Sequence, residues 1–158
     1  MALSVEQLAT LKAAILAETD AEFVVARTEG ATGRMADFFN VIASPAYYVW
    51  RKVYTPDQIA EAIEVGITQL DALTAAKREV LLWWAQRPHN PANSQAAIAD
   101  MCGSQNTLKA AVIAGGKRKA TRAEKLLVAS GNGAEATPSV LGFEGTLRSD
   151  DISLALSD

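Results

Sequence analysis

The sequence contains very few of the residues that carry chemistry in enzymes and metal sites. Among its 158 residues there is one cysteine, Cys102, and one histidine, His89. A single thiol excludes an internal disulfide and is typical of a reducing compartment such as a bacterial cytoplasm. One cysteine and one histidine also cannot complete a tetrahedral zinc site. His89 lies in "RPHNP", a polar loop with no visible orienting partner or nucleophile. We therefore expect no enzymatic activity, no cofactor and no metal.

Long apolar runs and an excess of positive charge are also missing. No apolar run approaches the roughly 20 residues of a spanning helix, and the first twenty residues lack the basic region that begins a secretory signal. The formal net charge of -3 argues against broad attraction to DNA or to an anionic membrane. These absences predict a soluble protein.

The patterns that are present predict a mainly α fold. Ser4 and Gln7 form a capping-box pattern, and Thr55-Pro56 is a strong helix start. Apolar residues at helical spacing then predict helices over 4–18, from Asp20 to near Gly30, and over 33–40, 55–65, 74–86, 94–102, 105–114 and 118–129. The segment "SPAYYVWRKVY" is interpreted as short and extended. We expect one helical-bundle domain over residues 1–130 and a C-terminal extended arm over residues 131–158.

The helix over 74–86 carries the heaviest apolar load of the chain. Its sequence, together with the residue before it, supplies Leu73, Val80, Leu81, Trp83 and Trp84. We expect these five side chains to form the centre of the core.

A basic run follows Gly115-Gly116, and it consists of Lys117, Arg118, Lys119, Arg122 and Lys125. It is not a phosphate-binding loop, because that motif needs Ser or Thr after the lysine and a strand before it. On a helix, Arg118, Arg122 and Lys125 would share a face. Three interpretations stay open for that face: a solvated surface, a salt-bridged protein interface and a DNA contact.

The C-terminal arm begins with the turn-rich link "SGNGAEATPS", and "VLGFEGTL" then suits a short strand or hairpin. Its apolar residues are too many for a solvated tail and too few for an independent core. We therefore expect the arm to be mobile until it docks on a partner. The expected interface residues are Val140, Leu141, Phe143, Leu147, Ile152 and Leu154.

Several segments, read in order, resemble a family of small virion-associated proteins of tailed bacteriophages. They are "LKAAILAETDAEFVVARTEG", "GRMADFFN", "YYVWRKVYTPDQI", "LTAAKREVLLWWA", "KRKATRAEKLLVASGNGAEATPSVLGFEGTL" and "DDISLAL". The resemblance covers nearly the whole chain, and its C-terminal pattern is the most specific part. Two departures are "LLVASGNG" where "LFATGTG" is commoner, and the double tryptophan Trp83-Trp84.

The resemblance implies a structural protein of the virion at the head–tail junction, made in the cytoplasm of the host bacterium. By fold-level analogy it implies a connector of the adaptor or head-completion type. Such a subunit docks on the portal protein and on other neck or tail proteins. It forms a homo-oligomeric ring, with a dodecamer as the candidate stoichiometry, through which encapsidated DNA passes; no membrane is involved. The alternatives are a DNA-binding or packaging accessory protein that uses the 117–125 face, and another tail, neck or capsid-surface component.

Overall fold

The computed structural model describes residues 2–88 and 90–157, so the predicted loop position of His89 lies outside the described residues. The fold is mainly α, as the sequence predicts. The helices in the described part of the chain are α1 (Val5–Ala17), α2 (Ala21–Thr28), α3 (Thr32–Asn40), α4 (Pro56–Asp71), α5 (Ala75–Ala85), α6 (Pro91–Cys102), α7 (Asn106–Gly116), α8 (Arg122–Leu126) and α9 (Ser149–Leu156). Two small antiparallel pairs join β1 (Tyr48–Trp50) to β2 (Lys117–Lys119), and β3 (Val128–Ser130) to β4 (Val140–Leu141).

Local sequence signals account for most helix starts. The Ser4 hydroxyl accepts from Gln7 N–H at 3.2 Å, and Gln7 Oε1 accepts from Ser4 N–H at 2.9 Å. Thr55 and Gln58 repeat this exchange at α4, where Pro56 occupies the first helical position. Each box pairs two backbone groups that a helix start leaves without an intrahelical partner. The predicted starts of α1 and α4 are thus confirmed.

The chain divides into two compact units rather than a body and an arm. Unit 1 contains Met1–Tyr47, Lys119–Gly133 and Leu141–Asp158, and unit 2 contains Tyr48–Arg118 and Ala134–Val140. The predicted boundary at residue 130 does not coincide with this division, because most of the C-terminal segment belongs to unit 1. Each unit has its own apolar core.

Unit 1 is built from α1, α2, α3, α8 and α9, and α9 packs against both α1 and α3. Phe23 and Phe39 meet edge to face in its centre, with ring centroids 5.5 Å apart. Its buried side chains also include Leu11, Ile15, Met35, Leu127, Phe143, Leu147 and Ile152.

Unit 2 is built around α4 and α7, with α5 and α6 beside them. A Cβ atom added at Gly66 would lie 2.5 Å from Leu108 Cδ1, so the close approach of α4 and α7 requires glycine there. The buried side chains of this core include Trp50, Tyr54, Leu73, Leu81, Ile98, Met101, Cys102 and Val112.

Two sequence predictions are wrong: the set of core residues on α5 and the helix over residues 118–129. Val80 and Trp83 are not core residues, since they are 51% and 56% exposed, whereas Leu81 is buried and Trp84 is half-buried. Residues 118–129 do not form one helix either. They pass from β2 through the short helix α8 into β3, because the capping box of Thr121 and Glu124 begins a new helix after extended residues.

Candidate interaction surfaces

The basic run does not form one helical face. Lys117 and Arg118 belong to unit 2, whereas Lys119, Arg122 and Lys125 belong to unit 1. Because Lys117, Arg118 and Lys119 are in an extended strand, successive side chains point to opposite faces. The expected shared face of Arg118, Arg122 and Lys125 is therefore absent.

Cations of this run contact aromatic rings and acids within their own units. Lys117 Nζ lies 2.8 Å from Glu135 Oε1 and 5.1 Å from the centre of the Tyr48 ring. Arg122 lies 4.0 Å above the Phe38 ring, a cation–π distance. Both cations are half-buried, and these contacts tie the charges to the protein surface instead of presenting them to a ligand.

Three of the six expected interface residues lie in the core of unit 1. Phe143, Leu147 and Ile152 are at most 5% exposed there, so they cannot form a docking surface while this unit is folded. Val140 packs against the core of unit 2, and Leu141 is half-buried. The docking-arm interpretation is wrong for these residues, because their apolar side chains pack against other residues of this chain rather than against another protein.

Leu154 differs from the other five, since its side chain is 55% exposed on α9. Ile152, two residues before it, and Ala155, directly after it, are buried. Leu154 is therefore the one member of the predicted set, within the described residues, that presents a large exposed side chain to solvent.

Side chains distant in sequence fix the C-terminal segment. The Asn40 amide accepts from Leu147 N–H at 2.8 Å and donates to Leu147 O at 2.9 Å, as a neighbouring strand would. Gln7 Nε2 donates to Gly142 O at 2.8 Å. Sequence reasoning missed these anchors, because Gln7 also caps α1 and Asn40 ends α3, and nothing local signals a partner more than 100 residues away.

Glu124 also has a distant partner that the sequence did not indicate, in addition to its local role at the start of α8. Its side chain is nearly inaccessible, with 2% of the residue exposed. Oε2 accepts from Thr121 N–H at 3.0 Å, and Oε1 accepts from Gly145 N–H at 3.4 Å. The carboxylate thus links the start of α8 to the turn after Phe143.

The glycine of the "LGFEG" pattern has a steric explanation. A Cβ atom at Gly142 would lie 2.5 Å from the Leu127 carbonyl oxygen and 3.3 Å from the Ala129 nitrogen, both backbone atoms. Only glycine fits such a close passage of two chains without a shift of the backbone.

Unit 2 exposes an apolar stripe that the sequence analysis had assigned to the core. Val80 and Trp83 are separated by three positions on α5 and so share a helix face. The Arg87 guanidinium lies 4.7 Å above the Trp83 ring and continues this face. The sequence did contain a signal for this exposed face, because the apolar residues at positions 80, 81, 83 and 84 cannot all point to the same side of one helix.

A groove of about 460 Å³ lies between α4 and α7 of unit 2. Small side chains of α7 form one side of it, and polar residues lie at its rim. The residues that line it include Arg51, Gln58, Glu61, Val65, Thr107, Ala110, Ala111, Ala114 and Lys117.

The buried ionisable groups of unit 2 are structural. Burial raises the pKa of the Tyr54 phenol well above its ordinary value, and the charge of Cys102 raises it further; the hydroxyl donates to Val112 O at 2.8 Å. Burial likewise raises the pKa of the Cys102 thiol. A raised pKa disfavours the reactive thiolate at neutral pH.

In the described part of the chain, no cluster of three or more His, Cys, Asp or Glu side chains is placed to hold a metal ion. Over residues 2–88 and 90–157, no helix combines the length and apolar character that crossing a membrane requires. Comparison of the chain with protein-family models, curated proteins and solved structures gave no match.

Proposed function

We propose that this chain is a structural protein of a tailed-bacteriophage virion, acting as a head-to-tail connector subunit. The observation that carries the proposal is the resemblance along nearly the whole sequence, which is most specific between residues 117 and 147. In this role the chain forms a homo-oligomeric ring on the portal protein, extends the DNA channel and receives other neck or tail proteins. The role is non-enzymatic, because assembly requires complementary surfaces rather than a reacting group.

Features of the fold support an assembly role. Large apolar side chains are exposed on both units, including Val25 at 49%, Val65 at 59% and Trp83 at 56%. Tryptophan is enriched among the residues that dominate binding at protein interfaces. These side chains offer anchoring points for neighbouring subunits, whereas the buried residues of the C-terminal pattern stabilise unit 1.

The alternative is a DNA-binding or packaging accessory protein, and the observation that favours it is the density of cations between 117 and 125. Against it stand the net charge of -3 and the engagement of Lys117 with Glu135. Phosphate contacts give binding a steep dependence on salt, because bound counterions are released. A salt titration of duplex binding therefore separates the two functions.

The proposal is tested by placing a stop codon at an early position of the gene in the phage that encodes it. In a non-suppressing host we expect DNA-filled heads without attached tails, seen by electron microscopy, and no infectious particles. Supplying the wild-type chain from a plasmid should restore tailed particles that contain it by mass spectrometry. Tailed, infectious particles that lack the chain would refute the connector function.

The same complementation can use variants of exposed residues. Trp83→Ala should lower the yield of tailed particles, and Asp37→Ala, at an exposed position of α3, serves as the control. If Lys119→Ala and its neighbours instead abolish DNA packaging while tails still attach to empty heads, the accessory function is favoured.

A further inference from the structure

The exposed face of α5 has the features of a binding surface. Its stripe, which we define as Ala76, Val80, Trp83 and Arg87, has its first three residues at helical spacing on the exposed side of α5. Arg87 lies just beyond the end of the helix and covers the Trp83 ring. Leu81 and Ala85 on the opposite side are buried in unit 2. A stripe centred on an exposed tryptophan under an arginine combines two of the three residue types that are enriched at interface hot spots.

The α4–α7 groove has a shape that suits a helix. A Cβ atom at Gly115 would lie 3.2 Å from Gln58 O, and one at Gly66 would meet Leu108, so α4 and α7 run antiparallel and close together. Ala110, Ala111 and Ala114 leave the α7 side of the groove shallow. Amphipathic helices commonly bind in grooves of this kind through side chains spaced three and four apart.

Charges at the stripe and at the groove are complementary. Glu79 is exposed on α5, and Arg87 follows the end of that helix with its guanidinium over the Trp83 ring. At the groove, Glu61 lies on α4, and Arg51 is held at the rim by donating from Nε to Lys117 O at 3.2 Å. An α5 helix seated in the groove can pair Arg87 with Glu61 and Glu79 with Arg51. A second copy of this chain therefore supplies an occupant of matching charge.

One copy cannot fill its own groove with its own stripe. Ile59 and Ile63 of α4 face Leu81 and Leu82 of α5 inside unit 2, whereas Glu61 and Val65 turn toward the groove. The stripe also points away from the side of α5 that faces α4. Both surfaces are thus available on the same molecule at different places.

We propose that copies of this chain associate head to tail, with the α5 stripe of one copy in the α4–α7 groove of the next. Such a contact uses two different patches, so it repeats around an axis and closes into a ring or continues as a filament. One helix in one groove buries less than the roughly 800 Å² per partner of a standard stable interface. Isolated copies should therefore associate weakly, and a platform that gathers them should strengthen the ring.

Disulfide trapping between separately labelled chains tests the contact. One chain carries Val80→Cys and the other carries Ala114→Cys, while the native Cys102 is fully buried and does not compete. We expect a mixed dimer on mild oxidation at high concentration, and little product from either variant alone. Ala96→Cys, at an exposed position of α6, is the control partner and should give no mixed dimer. The proposal would be overturned if Val80→Cys chains formed disulfides with each other as readily as with Ala114→Cys chains, or if the mixture of these two variants gave no dimer.

Substitutions in the same trapping assay test the chemistry of the contact. Trp83→Ala should lower the trapping yield about thirtyfold, as expected for a hot-spot residue. Arg87→Glu in the Val80→Cys chain and Glu61→Arg in the Ala114→Cys chain should each lower the trapping yield about fivefold. When both chains carry their charge reversal in the same mixture, the trapping yield should be restored. Equal loss in the restored pairing would contradict the predicted charge pairs.

The contact between copies does not depend on the proposed function, whereas the closed ring rests on it. Trapping measures the contact between purified chains, whereas the stop-codon experiment measures the role in the particle. A chain that is trapped as described but is absent from tailed particles would refute the connector function and leave the contact standing.

Discussion

Replacing Glu124 by alanine should selectively weaken unit 1. The carboxylate is buried, receives the Thr121 N–H that begins α8, and receives the Gly145 N–H from the C-terminal turn. It therefore joins two segments that are separated by about twenty residues of chain. Alanine removes both acceptors and leaves space where the side chain was.

The magnitude follows from these contacts. Loss of the reciprocal cap costs about 1 kcal/mol, loss of the Gly145 hydrogen bond about 1 kcal/mol, and loss of one buried methylene about 0.8 kcal/mol. We expect the free energy of unfolding of unit 1 to fall by about 3 kcal/mol. Glu124→Gln keeps the shape and one acceptor oxygen, so about 1 kcal/mol is expected for that variant.

Hydrogen exchange is the suitable measurement, because all three tryptophans, Trp50, Trp83 and Trp84, belong to unit 2 and their fluorescence does not monitor unit 1. In Glu124→Ala, amide protection in peptides covering residues 143–156 should fall about a hundredfold, since each 1.4 kcal/mol is a factor of ten. Asp37→Ala, at an exposed position of α3, should leave protection almost unchanged. If protection in Glu124→Ala stays within about threefold of wild type, the buried carboxylate does not stabilise unit 1 as we argue.

Three further predictions concern stability. Gly142→Ala should destabilise unit 1 by about 2 kcal/mol or more, because the new Cβ would meet backbone atoms. Gly33→Ala should instead stabilise unit 1 by about 0.5–1 kcal/mol, because Gly33 lies within α3 and has open space around it. If thermal melts followed by circular dichroism shift in the same direction for both variants, this prediction is contradicted. Because burial raises the pKa of Tyr54, its phenol keeps its proton in the folded state at a pH where the unfolded chain ionises. The free energy of unfolding of unit 2 should therefore fall by about 1.4 kcal/mol per pH unit above about pH 10. Urea titrations of Tyr54→Phe should lack this pH-dependent loss, and the same dependence on pH in that variant would refute the assignment to Tyr54. Trp84→Ala should cost unit 2 about 2–4 kcal/mol in urea unfolding, whereas the exposed Trp83→Ala should cost less than about 1 kcal/mol, and a reversed order would be incompatible with the structure.

Local signals in the sequence were sufficient for the starts of α1, α2 and α4. The capping boxes at Ser4 and Thr55 and the cap at Asp20 are determined by residues within one turn, and the structure has all three. The same signal was present in "TRAE", where Thr121 and Glu124 form a capping box. This box places a helix start at Arg122, so the predicted helix over 118–129 was wrong for the residues before it, which form β2.

The placement of the C-terminal apolar residues could not be read from local patterns. Phe143 and Leu147 needed partners, and the sequence alone could not say whether those partners were in another protein or in this one. The answer depends on contacts with residues such as Leu11 and Phe23, more than 100 positions away. The α5 stripe was missed for a related reason, since amphipathicity indicates that one face is buried but the aromatic residues lie on both faces.

The interleaving of the two units in the chain has a consequence for synthesis on the ribosome. Most of unit 2 is one continuous stretch, whereas unit 1 needs α1 and α3 to wait until α9 has been made. Domains fold as units as the chain emerges, so unit 2 can form first. The strand pair β1–β2 then brings together the two ends of the long stretch of unit 2, and the 2.7 Å hydrogen bond from Arg51 N–H to Gly116 O lies beside this pair.

Early folding of unit 2 lowers the entropic cost of completing unit 1. Closing a loop of about 70 residues costs about 4 kcal/mol more than joining adjacent segments, and the folded insertion removes most of this cost. Unit 2 is in this sense an insertion in the sequence of unit 1 whose early folding brings the two parts of unit 1 together. A nascent chain that stops before α9 would therefore contain a folded unit 2 together with helices α1–α3 whose apolar faces are uncovered, a form that cellular proteases can distinguish from the finished protein.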